Sequence, residues 1–192
     1  SPKLKFIGHA AGSIRPIVTP DVFEHGVTVS SSAGIIAEFV GEACLLSALS
    51  GFRNLVENHR DMQEGNWRGA DYHEHDSLIR QDVGLVGLGM TAREFLKLLA
   101  PFNCRVRAYD PFVSPGDATR LGVELTELDH LLAVSKVISL HAASLPETRH
   151  MIDERRLGLI QDGALLINTA RGALIDEEAL VRELSTNRFK AV

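Results

Sequence analysis

Gly87-Leu88-Gly89-Met90-Thr91-Ala92 stands between an apolar run, Val83–Val86, and a segment with helical apolar spacing. In this G-x-G-x-x-A form each small residue has a mechanical reason. Gly87 permits a tight turn, Gly89 removes a side chain where a pyrophosphate must approach the backbone, and Ala92 lets a helix pack close on its strand. The helix that opens at Met90 and Thr91 would turn free N–H groups and the positive end of its dipole towards phosphates. Alone, such a run is also what a glycine-rich turn looks like. Asp110 strengthens the case: it ends the next alternating strand, 21 residues beyond Gly89, where an acid accepts ribose hydroxyls. Pro111 and Phe112 follow it, not an arginine, so the pattern favours NAD over NADP.

A second block, Leu165 to Leu180, places Arg171 just past an apolar strand. At the carboxyl end of a parallel strand, where ligands of such sheets bind, a guanidinium can pair with a substrate carboxylate and polarise the neighbouring carbonyl. The alternative is that Arg171 caps the acidic turn Asp176-Glu177-Glu178.

The Asn168–Gly172 block resembles the signature of the D-isomer-specific 2-hydroxyacid dehydrogenases. Ser139-Leu140-His141, Pro146–Arg149 and Val83–Arg93 match that family in order and spacing; Lys3–Ile17 and Ile35–Leu49 match more loosely. The resemblance implies an NAD-dependent oxidoreductase, D-3-phosphoglycerate dehydrogenase-like, that interconverts a D-2-hydroxy acid and a 2-oxo acid. It makes Arg171 the substrate-orienting cation and sets His141, Thr169 and Ala170 beside the coenzyme. It assigns the substrate carboxylate to the N–H groups of Ala11, Gly12 and Ser13, with an alanine and a serine where the family more often has glycines. Arg15 follows directly and reads first as a solvated side chain, with contact to an acidic substrate as the alternative. The family's acid, a histidine held by a glutamate, falls downstream of the strand that begins near Val192, and His141 is not its proton donor. The expected architecture is a Rossmann-type doubly wound parallel sheet over residues 33–192. Residues 1–32 are then a remnant of a flavodoxin-like substrate domain, the chain is truncated at both ends, and the whole protein is a homodimer. A rival from another class is an NAD-sensing binding module, as in dehydrogenase-like transcriptional corepressors, with the same binding residues and no turnover.

The elements that must carry these residues follow from periodicity. Leu4–Gly8 and Val27–Val29 read as short strands, and Ser30, Ser31 and Ser32 offer N-cap hydroxyls to a helix from Gly34 to Ser50. That helix is apolar nearly all round, which predicts burial between two layers or two domains. Asn58–Asp82 is polar and reads as a surface connection. From Val83 strands and helices alternate: a helix from Thr91 to Ala100 stopped by Pro101, strand 105–110, and a capping box at Thr126–Asp129 before a helix to Val134. Strand 136–140, helix 153–160, strand 164–168 and helix 176–187 complete the pattern, which means a parallel sheet covered on both faces.

Composition bounds the function classes. With 192 residues, 45% hydrophobic, the chain can bury one sizeable core. A formal net charge of −5 and only 6% aromatic residues give no footprint for nucleic acid. Glu38 and Glu42 interrupt the longest apolar stretch, so no membrane partner is expected. Cys44 and Cys104 sit among apolar neighbours and read as buried thiols in a reducing compartment, the cytoplasm. Asp71, His73, His75 and Asp76 form a loose cluster without metal-ligand order, and no metal is expected.

Overall fold

The computed structural model describes residues 3–15, 17–67 and 75–192. Asp71 and His73 of the loose acidic and histidine cluster lie outside them.

A small first unit consists of β1 (Phe6–His9), α1 (Pro20–Glu24) and β2 (Thr28–Ser31). β1 and β2 pair with each other in parallel and with no other strand, Phe6 opposite Thr28 and His9 opposite Ser31. α2 (Ala33–Phe52) and α3 (Leu55–Gln63) lead to the larger sheet. Its strands are β3 (Asp82–Val86), β4 (Arg105–Tyr109), β5 (Glu124–Leu125), β6 (Val137–Leu140), β7 (Leu165–Asn168) and β8 (Lys190–Ala191). The intervening helices are α4 (Met90–Leu99), α5 (Pro115–Arg120), α6 (Leu128–Val134), α7 (Glu154–Leu157) and α8 (Glu177–Leu184). The order is β5-β4-β3-β6-β7-β8, every pair parallel. This is the doubly wound arrangement, and its winding reverses between β3 and β6.

Alternation along the strands feeds two cores. Val83 and Leu85 of β3, with Leu165 and Ile167 of β7, pack with Cys44, Ala48, Phe95 and Leu99 of α2 and α4. Val86, Ile138, Leu140 and Leu166 face the other way, onto Leu131, Leu157 and Ala179 of α6, α7 and α8. Strands buried on both faces read as continuous apolar runs for this reason.

Several local expectations need correction. Ser32 takes the N-cap position of α2, but its hydroxyl makes no capping bond; Ser31 Oγ accepts instead from the Ala33 N–H at 3.4 Å. The capping box before α6 does not form. Glu127 is the N-cap residue without a side-chain bond, and the Asp129 carboxylate is taken by Arg155 and Arg156 at 2.7 and 2.8 Å. The stretch read as a plain surface connection contains most of α3, which starts where Asn54 adopts a left-handed conformation, φ 48°, and breaks α2. α5 also escaped the periodicity, although Ser114 caps it through the Asp117 N–H and Pro115 fills its first turn.

α2 is buried on one side only. By length and composition it could cross a membrane, yet Ala37, Gly41, Cys44, Ala48 and Phe52 line a face packed on α4 and β7. Ile35, Phe39 and Leu46 remain 64%, 65% and 63% exposed, so burial between two layers is not what this chain provides. The α2–α4 contact is close enough to need a glycine. A Cβ at Gly41 would stand 2.9 Å from the Phe95 backbone nitrogen and 3.1 Å from the Glu94 carbonyl carbon, neither of which can rotate away. Helix propensity alone favours Gly41→Ala by about 1 kcal/mol. Overpacking should outweigh it, giving a net loss of about 1–2 kcal/mol in urea denaturation of the variant. A variant more stable than the parent would show that α2 can slide off α4 without cost.

Candidate active site

The carboxyl ends of the strands converge at the reversal of winding. The β3–α4 turn carries Gly87 at φ +90°, and a Cβ there would lie 2.8 Å from the Ala142 nitrogen and 2.9 Å from the His141 carbonyl carbon. Backbone therefore meets backbone between the glycine turn and the segment after β6. Two hydrogen bonds fix the approach: Gly87 N–H donates to the Tyr109 carbonyl and His141 N–H to the Val86 carbonyl, both at 2.8 Å. A Cβ at Gly89, by contrast, would meet nothing within 4 Å. Gly89 is the N-cap residue of α4 and no side chain caps that helix, so its first N–H groups, at Met90 and Thr91, are left without a side-chain cap. Ala92 is fully buried beneath them. The arrangement fits a dinucleotide pyrophosphate on its own geometry.

Asp110 follows β4 and is engaged through both oxygens. Oδ2 accepts from the Leu88 N–H at 2.8 Å, inside the glycine turn, and Oδ1 from the Phe112 N–H at 2.9 Å. Each oxygen retains a further lone pair for a hydroxyl donor.

A cleft of about 560 Å³ brings most of the other candidates together: Gly12 and Ser13, Met90 and Thr91, His141, Thr169, Ala170 and Arg171. Ala11, Gly87, Gly89, Ala92 and Asp110 do not line it. Arg15, read from sequence as solvated, does, as do Ala142, Ala143 and Ser144. Arg171 is exposed, and Nη1 donates to the Ala170 carbonyl at 2.6 Å. No hydrogen bond or ion pair joins it to the acidic turn at 176–178 among the described residues, and Asp176 caps α8 instead, accepting from the Ala179 N–H at 3.1 Å.

Asn168 holds the Arg171 loop, a role not foreseen from sequence. Its Oδ1 accepts from the Ala170 N–H at 3.1 Å while Nδ2 donates to the Arg171 carbonyl at 3.0 Å, so one amide spans the turn. A hydrogen bond of 3.3 Å between Cys44 Sγ and Thr169 Oγ1 ties the same loop to α2. The signal available in sequence was the Asx-turn habit of asparagine.

His141 sits at the carboxyl end of β6 with its ring 6.2 Å from that of Phe95. Nε2 is buried without a hydrogen-bond partner, and burial pushes the imidazole down to about 4. It is neutral at pH 7. Because the folded value lies below the ordinary 6.5, the unfolded chain binds this proton more readily between pH 6.5 and 4. The associated stability is complete above pH 6.5 and is lost as pH falls through 4, about 3 kcal/mol in all. His141→Gln should flatten that acid limb in urea titrations at pH 7 and 4. Equal losses in parent and variant would place the acid sensitivity elsewhere.

Among the described residues no group of three or more His, Cys, Asp or Glu side chains could hold a metal ion. Comparison with known proteins now supplies the family. The NAD-binding domain of the D-isomer-specific 2-hydroxyacid dehydrogenases matches residues 45–192. A D-3-phosphoglycerate dehydrogenase of Mycobacterium bovis is 31% identical over 191 residues, the whole of this chain and 36% of that protein. A hydroxypyruvate reductase of Thermotoga maritima is 32% identical over 188 residues, 98% of this chain and 60% of that protein. A crystal structure of a D-lactate dehydrogenase from Aquifex aeolicus, complexed with NAD and lactic acid, superposes with a TM-score of 0.83 at 31% identity. It covers 98% of this chain and 56% of its own. The chain thus spans roughly a third to three fifths of the relatives it matches. The chain belongs to the D-isomer-specific 2-hydroxyacid dehydrogenase family, through its NAD-binding domain.

Proposed function

We propose that this protein is an NAD-dependent oxidoreductase interconverting a D-2-hydroxy acid and the corresponding 2-oxo acid. One observation carries the reading: Arg171, with no carboxylate partner among the described residues, shares a cleft with the Gly12–Ser13 loop and the open N-terminus of α4. NAD, when bound, supplies the redox chemistry through its nicotinamide. Gly87, Gly89 and Ala92 make room for the pyrophosphate, the N–H groups of Met90 and Thr91 bind it, and Asp110 takes ribose hydroxyls. Thr169, Ala170 and the neutral His141 form the wall against the nicotinamide half. Arg171 pairs with the substrate carboxylate and orients the carbonyl, helped by the N–H groups of Ala11, Gly12 and Ser13. The relatives compared above are dehydrogenases and reductases, and no observation favours the corepressor-like binding module.

Residues 1–32 then belong to the substrate domain and 33–192 to the coenzyme domain, which agrees with the separate pairing of β1 and β2. A cytoplasmic setting is supported by the free thiols of Cys44 and Cys104. Arg171→Ala in the intact protein should lower kcat/KM towards 2-oxo acids by about 10²–10³-fold, the size expected for one group that stabilises developing charge, while NAD still binds. Unimpaired turnover would remove Arg171 from the site, and calorimetry showing NADP bound more tightly than NAD would overturn the role given to Asp110.

The exposed stripe of Ile35, Phe39 and Leu46 on α2 supports a homodimer in which a second copy covers it. Light scattering should give twice the protomer mass for the intact protein; a stable monomer would refute the assembly.

A further inference from the structure

Two guanidinium groups, Arg15 and Arg171, line the same cleft, and among the described residues no aspartate or glutamate does. They reach it from separate parts of the fold. Arg15 follows the Gly12–Ser13 loop beyond β1, and Arg171 follows β7. His141, the remaining basic side chain of the cleft, is held neutral by burial. Among the described residues Arg15 makes no hydrogen bond or ion pair, and the Arg171 guanidinium bonds only to the Ala170 carbonyl. Among the described residues the cleft therefore holds two positive charges and no carboxylate beside them. Ile36 and Val40 of α2 form part of its wall.

A substrate with a single carboxylate neutralises one of these cations and leaves the other facing the ligand. The coenzyme has little need of the second, because its pyrophosphate already meets the uncapped N–H groups of α4. Arg15 adjoins the substrate loop instead. A guanidinium offers a planar, permanently charged fork that matches a carboxylate or a phosphate equally well. We propose that Arg15 selects 2-oxo acids that carry a second anionic group, a carboxylate or a phosphate, at the end remote from the C1 carboxylate. The inference rests on the reading of the cleft as a 2-oxo acid site.

The test compares kcat/KM of the intact protein, with NADH, for pyruvate and 2-oxobutyrate against oxaloacetate, 2-oxoglutarate and 3-phosphohydroxypyruvate. At least one doubly anionic substrate should be preferred tenfold or more over the monoanions, and which one separates carboxylate from phosphate. Arg15→Gln should reduce that ratio at least tenfold, and Arg15→Lys should keep most of it. An unchanged ratio in Arg15→Gln overturns the proposal. So does a loss of NAD affinity that weakens all substrates alike, which would put Arg15 on the coenzyme phosphates. If the parent turns over none of these acids, the functional reading fails, and calorimetry with succinate and propionate decides on Arg15. Tighter succinate binding that disappears in Arg15→Gln upholds its role; equal binding ends it.

Discussion

The cleft exists because backbone can touch backbone where the sheet reverses its winding. Gly87 lets the turn after β3 approach the segment after β6 to a distance that any side chain would obstruct. Three residues earlier, within β3, Gly84 plays a related part beneath the sheet: a Cβ there would collide with Leu131 and come within 2.6 Å of Ser135 Oγ. With both positions bare, α6 can close on one face of β3 while α4 starts immediately above the other. The ends of β3, β4, β6 and β7 are then level, and the groups that follow them share one rim. A bulkier residue at either glycine would separate these layers, and the distances between Asp110, His141 and Arg171 would separate with them.

Much of this was legible in the sequence because it depends on backbone geometry and spacing. The glycine run, the acid 21 residues beyond Gly89 and the arginine past an apolar strand each fall just beyond a strand end, after β3, β4 and β7. The same holds for the parallel sheet, whose buried strands appear as unbroken apolar runs. What escaped was decided by partners distant in sequence. Asp129 looked like part of a cap but is claimed by two arginines from α7, 26 and 27 residues away. Arg15 is exposed, as read from sequence, but nothing in its neighbours shows that the loop brings it to the cleft. Asn168 stood inside a recognised block, yet its bracing of the loop becomes visible only when both of its hydrogen bonds are seen. α3 and α5 are short, and short helices carry too few apolar positions to reveal a period.

The electrostatics of the site are set by what surrounds each group more than by its type. His141 and Arg171 sit on the same cleft; burial keeps the imidazole neutral, whereas a guanidinium is a permanent cation. The polar groups that brace the rim, Asn168 and Cys44, are uncharged and cost little to dehydrate when paired. Charge is thereby concentrated on the two arginines.

Asp110 ties two requirements to one carboxylate. Its carboxylate buttresses the Leu88 amide within the phosphate turn, and under the proposed reading it also meets the ribose. A smaller or basic residue installed there to admit a phosphorylated ribose would withdraw the acceptor from Leu88 in the same step. Under that reading coenzyme choice and turn order are coupled at this position, and a change made for one has to be compensated by repair of the other.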